Sequence, residues 1–187
     1  ASITVDIDPT LGKGKKLFAS MDEEFLAFTP ATLDLIISNL CLHWTNDLPG
    51  ALLQIRKTLK PDGLFLAAML GGETLKELRA SLTQAELEIA GGAAPRVSPF
   101  VDIRDAGALL QRAGFALPVT DIDTINVTYE NAFVLMKELR GMGETNALTC
   151  TPNSVPARAL FPKAASLYQQ RYANSNGRVT ATFQILY

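Results

Sequence analysis

Apolar positions along this chain change period repeatedly, and the changes mark its elements. Leu33 to Asn39 (LDLIISN) is a continuous apolar run, the pattern of a strand covered on both faces of a parallel sheet. A polar loop, Asn39 to Asp47, follows it. Leu48, Ala51, Leu52, Ile55 and Leu59 then recur at helical spacing and give one apolar stripe, with Asn46 or Asp47 as the cap and Pro49 in the first turn. Lys57 and Lys60 suit the negative end of that helix, Pro61-Asp62-Gly63 predicts its stop, and Leu64 to Leu70 reads as another strand. Strand, loop, helix, turn and strand make one repeat of an open parallel α/β sheet, in which ligands sit outside the carboxyl ends of the strands. The loop from Asn39 to Asp47 is where that rule places chemistry.

The same alternation extends in both directions. Ile3 to Ile7 (ITVDI) is short, β-branched and followed by acids, as a parallel strand would be, and Lys16 to Ser20 predicts the next strand, leading into Met21-Asp22-Glu23-Glu24. Thr74 to Ala90 carries Leu75, Leu78, Leu82, Ala85 and Ile89 on one helical face and ends at Gly91-Gly92. Asp102 opens another helix, with Ala106, Leu109, Leu110 and Ala113 inward and Gly114 as a left-handed stop. Val119 to Tyr129 reads as a strand, and Asn131 to Arg140 and Val155 to Tyr172 as helices. After Asn176-Gly177, the residues Val179, Ala181, Phe183, Ile185 and Tyr187 alternate with Thr180, Thr182 and Gln184, which predicts a strand with two unlike faces.

Bulk properties narrow the function classes. With 187 residues, 48% hydrophobic and 19% charged, the chain is long enough for one domain burying roughly 70% of its unfolded surface. A net charge of -2, with no basic cluster beyond Lys13, Lys15 and Lys16, argues against a nucleic-acid footprint. Cys41 and Cys150 stand in different contexts, so a disulfide framework is not expected and a reducing compartment fits better. No apolar run approaches the ~20 residues that a transmembrane helix needs.

Asp6 at the end of one strand, Asp22 after the next, then DLIISNLCLHWTNDLPGAL and LKPDG resemble the middle of a class I S-adenosylmethionine-dependent methyltransferase. A narrower resemblance covers nearly all of residues 3 to 187. MDEEFLAF, SNLCLHWTNDLP, LKPDGLF, GGETLKELR, VSPF, LLQRAGF, MKELRGMGETNA and ATFQILY fall in the order found in the complex I assembly factor 5 family of mitochondrial methyltransferase-like proteins. The biotin-pathway malonyl-carrier-protein methyltransferases share the LHWTNDLP region and resemble the GGETLKELR and GMGETNA segments less. The resemblance implies a Rossmann-like α/β sheet, an S-adenosylmethionine cofactor, and a role in assembly of NADH:ubiquinone oxidoreductase by hydroxylation of an arginine on an iron-sulfur subunit. It also implies other assembly factors as partners, and a mitochondrial matrix location peripheral to the inner membrane; a bacterial relative would sit in a cytoplasm. Two further readings stay open: a noncatalytic assembly chaperone, and an O-methyltransferase of the malonyl-carrier-protein type.

Physical reasons stand beside the resemblance. A carboxylate at the tip of the second strand of such a sheet can accept both ribose hydroxyls of a nucleoside, which makes Asp6 the candidate anchor, with Asp8 as the fallback. The resemblance places Asp22 against an adenine amino group, with a backbone donor from Glu23 beside it. Ser38, Asn39 and Leu40 end the strand that the family turns toward the cofactor's sulfonium; Asn39 either orients cofactor or acceptor or caps the loop. His43, the one histidine in the chain, is a candidate general base or a wall residue beside Trp44. Trp44 covers a ligand or packs against the helix that starts at Leu48, packing being the simpler reading.

Two departures from the family pattern matter. The glycine-rich loop after the family's first strand is absent, because the chain opens just before the second strand; Asp8 and Asp22 are also only about a dozen residues apart, short for a strand-helix-strand connection. An N-terminal strand and helix, and a segment near Gly12 to Lys16, are therefore expected to be missing from a single domain that runs from 1 to 187. The second departure is the 49 residues from Glu130 to Arg178, a helical insertion before the last strand. MKELRGMGETNA lies within it, and Arg140, Glu144 and Asn146 are candidates for gripping a protein substrate. Hydroxylation has no mechanism in this sequence: one histidine cannot build a two-histidine, one-carboxylate iron site, and no flavin motif is present.

Overall fold

A computed structural model describes residues 3–6, 10, 13–14, 17–144 and 158–187. Strands and helices alternate through most of it: β1 (Thr4–Asp6), β2 (Phe18–Ser20), β3 (Leu33–Asn39), α1 (Leu48–Thr58), β4 (Leu59–Leu70), α2 (Lys76–Ala90), α3 (Ile103–Arg112), β5 (Ile122–Tyr129), α4 (Ala132–Met142), α5 (Leu160–Tyr172) and β6 (Val179–Leu186). The chain divides into two compact units that interleave along the sequence. The first holds residues 1–69, 103–121 and 186–187, and the second holds 70–102 and 122–185.

In the first unit β1 and β2 pair in parallel, Asp6 opposite Ser20, as a two-stranded sheet of their own. β3 pairs in parallel with β4, Ser38 opposite Ala67 and Asn39 opposite Ala68. Helix α1 makes this parallel pairing possible, since two parallel neighbours need a crossover between them. Its cap is Asp47, whose carboxylate accepts the Gly50 N–H at 2.9 Å, and Pro at the first turn donates nothing that would be lost. Ala51, Leu52 and Ile55 are buried on one stripe; each large aliphatic side chain among them contributes about 1.5–3 kcal/mol by leaving water.

The end of α1 differs from expectation. The helix stops at Thr58, and Pro61-Asp62-Gly63 lies inside β4 rather than before it. Leu33 pairs with Leu59 while Leu35 pairs with Leu64, so β4 carries extra residues against β3 at this point. Asp62 at φ 62° supplies the left-handed step that absorbs them as a bulge. Lys60 therefore sits on a strand, where its ammonium pairs with Asp34 at 2.7 Å instead of facing a helix end. β3 is also less covered than its apolar run predicts. Leu35 and Ile37 are 47% and 65% exposed, as are their β4 partners Leu64 and Leu66 at 53% and 48%, so one face of this pair is left uncovered among the described residues.

The second unit builds its core on helices. Leu75, Leu78, Leu82 and Ala85 of the α2 region meet Leu135 and Leu139 of α4, Leu160, Ala164 and Tyr168 of α5, and Val179 and Ala181 of β6. Within this unit β5 lies beside β6. Asp121 and Tyr187, which belong to the first unit, exchange both backbone hydrogen bonds at the ends of these strands, the mark of an antiparallel pair. Asn131 caps α4 by accepting from Phe133 and Val134 N–H. Ile89, in the last turn of α2, is 39% exposed instead of joining the buried stripe. Helix α5 begins at Leu160; residues 155–157 lie outside the described residues. β5 begins at Ile122, with Val119 86% exposed ahead of it.

β6 does not have the polar solvent face that its alternation predicts. Thr182 is 4% exposed, and both its N–H and its hydroxyl donate to the buried carboxylate of Glu77. Thr74, fully buried, trades hydrogen bonds with the Gln184 backbone in the same way. The polar face of the strand is covered by α2 and its preceding turn, and the polar residues there serve as internal partners.

Candidate functional site

The candidate site lies in the first unit, at the carboxyl ends of its strands. Met21 N–H donates to Asp6 O at 3.1 Å, so Asp6 and the segment Met21-Asp22-Glu23-Glu24 leave the small sheet at the same end. Asp22 turns the chain: its carboxylate accepts Glu24 N–H at 2.8 Å, a short local bond that Asp makes readily in turns. Glu24 reaches further. Its carboxylate accepts from Asn46 N–H and from Asp47 N–H, the second at 3.3 Å, and its carbonyl accepts from the Gln54 side chain at 2.5 Å. The Gln54 side chain in turn accepts Leu26 N–H at 2.9 Å. A carboxylate at the start of α1 satisfies backbone donors that the helix cannot, and it clamps the acidic segment there.

At the end of β3 the backbone turns sharply. Leu40 has φ 52°, and its N–H donates to Ala68 O at 2.8 Å, which holds it against β4. A leucine in this region costs about 1–2 kcal/mol, a strain that the flanking strand pairing sustains. The Cys41 thiol donates to Asn39 O at 3.2 Å, and a single 3-10 turn, Leu42 to Trp44, follows with Leu42 buried in the core. His43 and Trp44 are half-buried, their rings 5.4 Å apart and tilted by 38°. Burial pushes the Cys41 thiol up from its ordinary pKa, and the negative charges of Glu23 and then Asp6 push it further the same way. The charges carried by the ends of the small sheet are thus felt at the loop after β3.

Among the sequence-derived candidates, Asp6, Glu23, Ser38, Asn39 and Leu40 come to this one end of the first unit. Asp22 lies beside them, and one of its carboxylate oxygens closes its own turn. Asn39 has an exposed side chain, and its carbonyl is the Cys41 acceptor. Trp44 has His43 as an aromatic neighbour. Arg140 and Glu144 belong to the second unit. Arg140 is exposed in the last turn of α4, and Glu144 N–H closes that helix end on Leu139 O at 2.9 Å, with Gly143 at φ 86°. Asn146, Asp8 and Cys150 lie outside the described residues. Sequence reasoning missed the clamp by Glu24 and the electrostatic effect of Glu23 and Asp6 on Cys41. Both join residues that are far apart in the chain, and no local spacing signals them.

The methyltransferase-domain family matches residues 2–118, more than half of the chain and all of this site. The chain belongs to that family. The fold agrees: a Bacillus halodurans protein described as a methyltransferase superposes with a TM-score of 0.62 at 13% identity, covering 98% of this chain and 79% of its own. The architecture is therefore the Rossmann-like α/β fold of class I methyltransferases. Among curated relatives, the mitochondrial protein named arginine-hydroxylase NDUFAF5 of Danio rerio is 51% identical over 168 residues, 89% of this chain and 51% of that protein. Its Homo sapiens counterpart is 51% identical over 168 residues, 89% of this chain and 48% of that protein. A malonyl-[acyl-carrier protein] O-methyltransferase of a Methylovorus species is more distant, 34% identical over 166 residues, covering 89% of this chain and 53% of its own. The methyltransferase-domain chain spans about half the length of the curated relatives it matches.

Proposed function

We propose that this protein binds S-adenosylmethionine at the end of β3 and acts in assembly of respiratory complex I, by hydroxylating an arginine of an iron-sulfur subunit. The supporting observation is that the acidic segment after β2 hydrogen-bonds both to the Asp6 backbone and to the start of α1, inside a chain about half identical to proteins named arginine-hydroxylase. The donor set suits the cofactor. Asp6 at a strand tip would accept ribose hydroxyls, and the turn at Asp22 and Glu23 would face the adenine. Ser38, Asn39 and the left-handed Leu40 would border the sulfonium, which supplies a transferable methyl group when bound. His43 and Trp44 would wall the acceptor side, and Arg140, Glu144 and Asn146 would contact the protein substrate.

Hydroxylation of a C–H bond is a different reaction from methyl transfer. It converts dioxygen, two electrons and two protons into one inserted oxygen and water, so it draws on a reductant from outside these residues. A mitochondrial matrix location, peripheral to the inner membrane, goes with this reading; among the described residues no helix is long and apolar enough to cross a membrane. A malonyl-carrier-protein methyltransferase is the second reading, carried by the 34% identity of the Methylovorus enzyme.

Calorimetric titration of the full-length protein with S-adenosylmethionine is expected to show saturable binding, weakened at least about tenfold by Asp6→Ala, a loss typical of a charged hydrogen-bond partner. The partner subunit, examined by mass spectrometry after incubation, is expected to gain the mass of one oxygen atom. A gain of one methylene unit instead would favour methyl transfer, and no heat of binding would favour a noncatalytic chaperone.

A further inference from the structure

A second site candidate lies wholly in the second unit and shares no residue with the one around Cys41. It is a cavity of about 350 Å³ between α2 and the segment that follows it, lined among others by Arg79, Leu82, Arg96, Val97 and Phe100. Arg79, in the first turn of α2, donates from Nη1 to Gly72 O at 3.1 Å and from Nη2 to Thr74 O at 3.0 Å. Both partners are neutral carbonyls, so the charge of Arg79 is not compensated by them. Arg96 is drawn in from the other wall by Glu86, at 2.6 Å, while the second oxygen of Glu86 accepts Ala94 N–H at 2.8 Å. The pair of guanidinium groups and the one carboxylate leave one net positive charge at the cavity.

The Nε atoms of Arg79 and Arg96 are buried and have no hydrogen-bond partner among the described residues. Native structures rarely leave buried donors unmatched, and an arginine fork is shaped for a planar oxyanion. Apart from Thr83 the remaining lining side chains are apolar, and the volume falls in the range of small-molecule sites.

We propose that this cavity binds a small organic acid, its carboxylate received by Arg79 and Arg96 and its apolar body lying against Leu82, Val97 and Phe100. The proposal stands apart from the S-adenosylmethionine reading and does not depend on it.

The test is calorimetric titration of the full-length protein with hexanoate and benzoate, with hexanamide and inorganic phosphate as comparison probes. At least one acid is expected to saturate the protein below ~10 mM, about tenfold or more tighter than the amide and tighter than phosphate. Arg79→Lys keeps the charge and removes the planar fork, and is expected to weaken the acid about tenfold. Because Arg79 also holds the turn at Gly72 and Thr74, a second variant guards against misfolding. Ala93→Trp fills the cavity rim from an exposed loop position, and is expected to abolish acid binding while thermal unfolding stays unchanged. Absence of saturable binding by either acid overturns the proposal. So does equal affinity for the amide, tighter binding of phosphate, or acid binding that survives in folded Ala93→Trp.

Discussion

Several side chains here have roles that their residue types alone do not announce. Glu24 is part of an acidic run that reads as a solvated turn, yet its carboxylate accepts the Asn46 and Asp47 N–H groups just ahead of α1. Leu40 accepts a left-handed backbone so that the chain can leave β3 toward Cys41. Tyr168, buried in the second unit, donates to Thr180 O at 2.8 Å, and burial followed by the charge of Glu77 pushes its phenol well up from the ordinary tyrosine pKa. Glu86 behaves in the opposite sense. Burial pushes its carboxyl up, but the Arg96 guanidinium and the Ala94 N–H outweigh that and hold it below the ordinary glutamate value. A carboxyl lowered in the folded state stabilises the protein above its unfolded pKa, and that stability is lost as pH falls through the folded value. The thermal unfolding midpoint is therefore expected to drop between about pH 5 and pH 3, and Glu86→Gln is expected to flatten part of that fall.

At the scale of elements, the two units use the same materials differently. α1 is half-exposed and forms the crossover between two parallel strands, whereas α2, α4 and α5 bury whole stripes against one another. Leu135 of α4 is fully buried at the centre of that contact. Leu135→Ala removes its buried methyl groups and leaves a cavity that backbone helices close poorly, so urea denaturation is expected to show a loss of about 2–5 kcal/mol. The β6 strand makes the complementary point. Its alternation of apolar and polar residues is clear in the sequence, but Thr182 and Gln184 face α2 and its turn and bond to Glu77, Glu73 N–H and Thr74. Periodicity gives the two faces of a strand and does not say whether the polar one meets water.

At the scale of the whole molecule, the interleaving of the units decides what can fold alone. The second unit draws on 70–102 and 122–185, and a protein truncated after Asp121 keeps α2 without the α4, α5 and β6 residues that cover its apolar stripe. Such a truncation is expected to lose cooperative unfolding by circular dichroism, with Leu78, Leu82 and Ala85 left in water. The sequence by itself determined the order of strands and helices, a cap at Asn46 or Asp47, the Gly91 and Gly114 stops, and the family resemblance, because these signals are local in the chain. It placed Asp6, Ser38, Asn39 and Leu40 at strand ends for the same reason. Tertiary structure alone decided that the charges of Glu23 and Asp6 act on Cys41, that Glu24 closes on the start of α1, that Lys60 sits on a strand, and that Arg79 and Arg96 share a cavity. Those outcomes join residues far apart in the chain, and they depend on which faces pack together, which no local period of apolar and polar residues carries.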